Sequence, residues 1–99
     1  MMEINKQAEG EKLAVALTGR LDTMTAPDLE AELKDALGCI RELTFDFAEL
    51  EYISSAGLRV LLGAQKALSG NGTMVIRNVN EAVMEVFEVT GLKQVFTIE

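Results

Sequence analysis

The chain has 99 residues, 48% of them hydrophobic and 25% charged, and carries a formal net charge of -7. That apolar share is ample for a core and excludes disorder, while the acidity argues against nucleic acid and anionic membrane surfaces, both of which attract basic faces. There is no histidine and a single cysteine, Cys39, which removes the usual general base, the usual zinc ligand and every Ser-His-Asp arrangement.

The length reads as one domain, 1–99. No apolar run approaches the roughly 20 residues needed to cross a bilayer, and Met1-Met2-Glu3-Ile4-Asn5-Lys6 lacks the shape of a signal peptide. A lone cysteine excludes an intramolecular disulfide framework and fits a reducing cytoplasm. The expectation is a cytoplasmic, non-enzymatic protein with no cofactor, no metal, no nucleic acid and no membrane insertion. A basic protein partner is compatible with its charge.

Residues 2–8 are weakly patterned and suit an edge strand, and Glu9-Gly10-Glu11 reads as a turn. Leu13, Val15 and Leu17 alternate with Ala14, Ala16 and Thr18, the period of a strand with one apolar face. Thr25-Ala26-Pro27-Asp28 has the look of a helix start, with Thr25 as cap, a carboxylate three residues on, and proline in the first turn. Leu29, Leu33, Ala36, Leu37 and Ile40 then recur at helical spacing, with Gly38 near the end and Cys39 read as a small buried hydrophobe.

Leu43, Phe45 and Phe47 mark a further strand, followed by a short loop at Glu49-Leu50-Glu51. From Ala56 to Leu68 the pattern is helical and apolar around much of its girth, a sign of deep burial or of a face for a partner. Ser69-Gly70-Asn71-Gly72 is a turn cluster, and Thr73–Val79 a strand apolar on both faces near its middle. Asn80 caps a third helix that ends at Thr90-Gly91-Leu92, and Val95–Ile98 closes the chain as a short strand. The methionines, scattered, read as chain start and core filler. The order is β-β-α-β-α-β-α-β, an α/β fold with a mixed sheet packed on helices.

Two serines stand where the strand through Ile53 gives way to the second long helix. Locally, one of them caps the helix. The same position suits a phosphate, because unpartnered N–H groups and the positive end of the helix dipole meet there, and because added negative charge repels a docked partner. A nucleophile reading of Ser55 fails for want of a base and of the glycine two residues earlier. Asp22, after the preceding strand, is either a solvated turn carboxylate or a site residue, since loops after parallel strands gather on one edge. Asp46, mid-strand, reads as structural or solvent-facing.

These residues resemble the STAS domain of bacterial anti-sigma factor antagonists. The likeness runs through Leu17-Thr18-Gly19-Arg20-Leu21-Asp22 and Thr25-Ala26, then Phe45-Asp46-Phe47. It continues in Ile53-Ser54-Ser55-Ala56-Gly57-Leu58 with Val60-Leu61-Leu62, and closes at Thr90-Gly91-Leu92. The resemblance implies a STAS-type fold and partner switching. The unphosphorylated antagonist binds an anti-sigma factor that is a serine kinase, which frees a sigma factor. Phosphorylation of Ser55 ends the binding, and a phosphatase resets it. The resemblance further implies partner recognition around Asp22, Thr23, Ala56, Gly57, Leu58 and Arg59. Many members carry aspartate where Ser54 stands, which makes Ser54 a second candidate acceptor. Other members serve transporters, lipid-transport complexes or sensory assemblies, and there Ser55 is only a helix cap.

Overall fold

A computed structural model describes residues 2–70 and 72–99. The elements are β1 (Met2–Glu9), β2 (Lys12–Leu21), α1 (Ala26–Lys34), β3 (Glu42–Ile53), α2 (Ser55–Leu68), β4 (Thr73–Arg77), α3 (Glu81–Thr90), a 3-10 turn (Leu92–Gln94) and β5 (Thr97–Ile98). The five strands lie side by side in the order β1-β2-β3-β4-β5. β1 and β2 form an antiparallel hairpin, and every later neighbour pair is parallel. The hairpin loop needs a positive φ at its first residue, and Gly10 supplies it at 60°. The expected order of elements is the observed one.

All three crossovers step in the same direction along the sheet. Right-handed crossovers therefore put α1, α2 and α3 on one face. Leu13, Val15 and Leu17 of β2, Leu43, Phe45 and Phe47 of β3, and Met74 and Ile76 of β4 point into that face and are buried. The opposite face holds Ala14, Ala16, Thr44, Asp46 and Val75, none of them fully buried. α2 lies against β3 and β4 on one side and α1 on the other. Its apolar girth follows from that sandwich: Leu58, Leu61, Ala64 and Leu68 are buried, Val60 packs on the core, and Leu62 is left 37% exposed.

Three local expectations are corrected. Glu49-Leu50-Glu51 is not a loop, because β3 runs on to Ile53 with two extra residues relative to β2: Ala16 pairs with Asp46 but Thr18 with Glu49, and Gly19 pairs with Leu50 but Arg20 with Tyr52. Such bulges let Phe47, Leu50 and Ile53 all face the core although they are spaced by three. Cys39 is exposed, because α1 stops at Lys34 and the helical period no longer governs the turns that follow. Met24 is 83% exposed, whereas Met74 is buried; Met24 sits in the loop before α1, outside any packed element.

Gly91 takes a left-handed φ of 78° after α3, with Leu92 packed on the core behind it, and the Asn80 side chain accepts the Val83 N–H at 2.8 Å. The closing strand is shorter than expected, Thr97–Ile98, because the chain from Leu92 to Val95 is taken up in the 3-10 turn. The turn expected at Ser69-Gly70-Asn71-Gly72 includes Asn71, which lies outside the described residues, as does Met1.

Candidate functional site

Leu21 and Ile53 are register partners at the ends of the neighbouring parallel strands β2 and β3. The pairing extends one step further, with the Ser54 N–H donating to the Leu21 carbonyl at 2.9 Å. The Asp22 loop and the start of α2 therefore leave the sheet side by side at its C-terminal edge, as parallel topology requires.

The Asp22 loop is tied by its own side chains. The Asp22 carboxylate accepts the N–H groups of Met24 at 3.0 Å and Thr25 at 3.1 Å and lies 3.2 Å from the Thr25 hydroxyl oxygen. The Thr25 hydroxyl in turn donates to the Arg20 carbonyl at 2.8 Å and accepts the Asp22 N–H at 2.8 Å. Thr25 does stand at the cap position of α1, yet it makes no capping bond, because its hydroxyl is turned back into this loop. Partial burial pushes the Asp22 carboxyl upward, but the hydrogen bonds from Thr25 and Met24 outweigh it and hold the group below its ordinary value of 3.8. Asp22 is thus the organiser of the loop.

The two serines differ. Ser54 is the N-cap of α2: its backbone is extended (φ -102°, ψ 175°) and its hydroxyl accepts the Gly57 N–H at 3.4 Å. Ser55 is the first helical residue and is exposed, and its hydroxyl makes no side-chain hydrogen bond among the described residues. The first turn of α2 contains no acidic residue, so the positive end of its dipole has no nearby anion on its own helix. Gly57 packs down on the strand ends: a Cβ there would lie 2.6 Å from Leu21 Cγ and 3.0 Å from Ile53 Cγ1.

Of the other expected site residues, Thr23 and Arg59 are exposed, Ala56 is half-buried, and Gly57 and Leu58 are buried. The last two set the seat of the helix rather than offering a surface. Reasoning from sequence missed Met24 beside Asp22, and it missed the cross-strand pair Arg20 and Tyr52. The Arg20 guanidinium lies 4.3 Å from the centre of the Tyr52 ring and 3.9 Å from the Asp22 carboxylate. The alternation of β2 puts Arg20 on the face opposite buried Leu21, but nothing in one sequence tells that the β3 bulges bring Tyr52 under it. Asp46 is structural, as expected. It accepts from the Asn78 amide at 3.0 Å and the Ala48 N–H at 2.9 Å, and these bonds, with Arg77 nearby, lower its pKa.

The chain is a small α/β domain with its helices on one sheet face and an exposed serine opening α2. The chain belongs to the STAS domain family, whose model, described as "Mlab, STAS domain", matches residues 4–98. It is 38% identical to the putative anti-sigma factor antagonist BtrV of Bordetella bronchiseptica, over 87% of this chain and 76% of that one. It is 30% identical to the anti-sigma-B factor antagonist of Bacillus subtilis, over 98% of this chain and 92% of that one. The fold matches an anti-sigma factor antagonist from Mycobacterium paratuberculosis with a TM-score of 0.89 at 21% identity, covering 99% of this chain and 85% of that one. It also matches the phosphorylated form of the Bacillus cell fate determinant SpoIIAA, with a TM-score of 0.76 at 20% identity, covering 100% and 91%. Among the described residues no helix is long and apolar enough to cross a membrane.

Proposed function

We propose that this chain is a cytoplasmic anti-sigma factor antagonist, a binding protein rather than an enzyme. Unphosphorylated, it holds an anti-sigma factor that is a serine kinase, and a sigma factor is freed. Transfer of the γ-phosphoryl group of ATP to the Ser55 hydroxyl ends the binding, and a phosphatase restores it. The observation that carries this reading is the division of labour at the start of α2. Ser54 caps the helix, so the Ser55 hydroxyl is left exposed and uncommitted. The names of the relatives support the partner class.

The physics of the switch follows from position. A phosphate on the first helical residue sits at the favourable end of the dipole, so the fold accepts it. The same phosphate adds up to about two negative charges to a surface a partner must desolvate, so the complex does not. Half-buried Asp22 and the exposed Thr23 and Arg59 are the polar residues of that surface, and Ala56, Gly57 and Leu58 hold α2 in place beneath it.

Intact-mass measurement after incubation with the partner kinase and ATP tests the proposal. One added phosphate, lost in Ser55→Ala and kept in Ser54→Ala, is the expected result. No phosphate on the native chain overturns the switch. A second reading, a STAS subunit of a transporter, lipid-transport or sensory assembly, rests on the matching domain model alone. Co-purification with transport components, unchanged by Ser55→Asp, would select it.

A further inference from the structure

Ser55 opens α2 and Arg59 lies four residues further on. Residues at i and i+4 of a helix share a face, with Cβ atoms roughly 5–6 Å apart. Helical side chains lean toward the N-terminus, so an arginine four residues on can reach back toward Ser55. Both residues are exposed.

Among the described residues Lys34, Arg59 and Lys66 make no ion pair, and of these Arg59 alone stands near the start of its helix, the other two lying in last turns. Lys6, Lys12, Arg41, Arg77 and Lys93 are each paired with a glutamate. Among the described residues Arg59 has neither an ion pair nor a side-chain hydrogen bond. It also stands near the end of a helix where a cation is disfavoured, in a helix whose first turn carries no acidic residue. Charged groups at the adjoining ends of β2 and β3 include Asp22, Arg20 and Glu51. Asp22 is engaged by its own loop, Arg20 lies over the Tyr52 ring, and Glu51 belongs to β3.

Given Ser55 as the phosphoacceptor, as proposed above, we propose that Arg59 is the intramolecular partner of the phosphate. A phosphoserine at i and an arginine at i+4 have the favoured order, anion before cation along the helix. The guanidinium fork matches two phosphate oxygens at once. Phosphorylation then changes the docking surface in two ways. It adds the phosphate, and it withdraws the Arg59 charge that the unphosphorylated surface offers to an acidic group of the partner. The switch thereby exceeds simple repulsion.

Phosphoserine installed at position 55 during translation separates this pairing from the action of any kinase. A phosphorus-31 NMR titration then reads the phosphate directly, whose ordinary second pKa is about 6. The midpoint in the native sequence is expected about half a unit below that of Arg59→Gln, as suits an exposed pair, with Arg59→Lys recovering part of the difference. Lys66 lies about 16 Å from Ser55 along the same helix, and Lys66→Gln is expected to leave the midpoint in place. Equal midpoints for the native sequence and Arg59→Gln, or an equal displacement by Lys66→Gln, overturn the pairing. A partner kinase that adds no phosphate to the native chain strikes the switch itself and leaves the Arg59 result standing.

Discussion

The Ser54 hydroxyl accepts the Gly57 N–H across the first turn of α2, at 3.4 Å. The bond is at the long end of the range, so its removal should cost less than the roughly 1 kcal/mol typical of a serine cap. Ser54→Ala is expected to lower the urea midpoint slightly while phosphate is still taken up at position 55. Uptake lost in Ser54→Ala but kept in Ser55→Ala would move the acceptor to Ser54.

Gly57 presents a contest between propensity and packing. Alanine is better than glycine inside a helix by about 1 kcal/mol. Against that, its methyl would sit 2.6 Å from Leu21 Cγ and 3.0 Å from Ile53 Cγ1. Both neighbours are fully or almost fully buried, and overpacking of that kind costs about 1–3 kcal/mol. Packing wins. Gly57→Ala is expected to destabilise the fold by about 1 kcal/mol and to lift the start of α2 off the strand ends. A melting temperature at or above the native value would show that Leu21 moves aside freely.

The layout of the fold was legible because its signals are short-range. Alternation at Leu13, Val15 and Leu17, the Asn80 cap and the glycine after Thr90 each act over a few residues. What was lost depends on partners distant in sequence. Phe47, Leu50 and Ile53 break the period of two, and only pairing with β2 shows that bulges absorb the difference. Thr25 has the residue type and spacing of a cap, yet its hydroxyl is taken by Arg20 and Asp22. Met24 has the composition of a core residue and no element to bury it. At the site, the Ser54–Ser55 pair was visible, but which one caps depends on where the helix begins, and one residue decides that.

Asp22 and Asp46 both titrate below the ordinary carboxylate value of 3.8. The unfolded chain therefore binds more protons than the folded one as the pH falls through that value. Their contribution is fully present above the unfolded pKa and is lost as the pH drops through the folded ones. Stability is expected to fall between about pH 5 and about pH 2, and Asp46→Asn, whose amide oxygen still accepts from Ala48, should flatten the decline. An acid limb identical in native and variant proteins would assign the loss to other carboxylates. Urea midpoints across that range provide the comparison.

Met24 is the large apolar side chain most exposed in the Asp22 loop, at 83%, and Tyr52 is 40% exposed nearby on the strand that leads to Ser54. An exposed methionine contributes little to the fold, so Met24→Ser should change stability by no more than about 0.5 kcal/mol. Burying it against a partner is worth about 1.5–3 kcal/mol, which corresponds to a loss of roughly tenfold or more in affinity when it is removed. Tyr52→Ala should weaken binding as well, since it removes both ring area and the support of the Arg20 guanidinium. Calorimetric titration of the unphosphorylated chain with its anti-sigma factor measures both. Native affinity in Met24→Ser would put the Asp22 loop outside the interface and confine docking to the exposed face of α2.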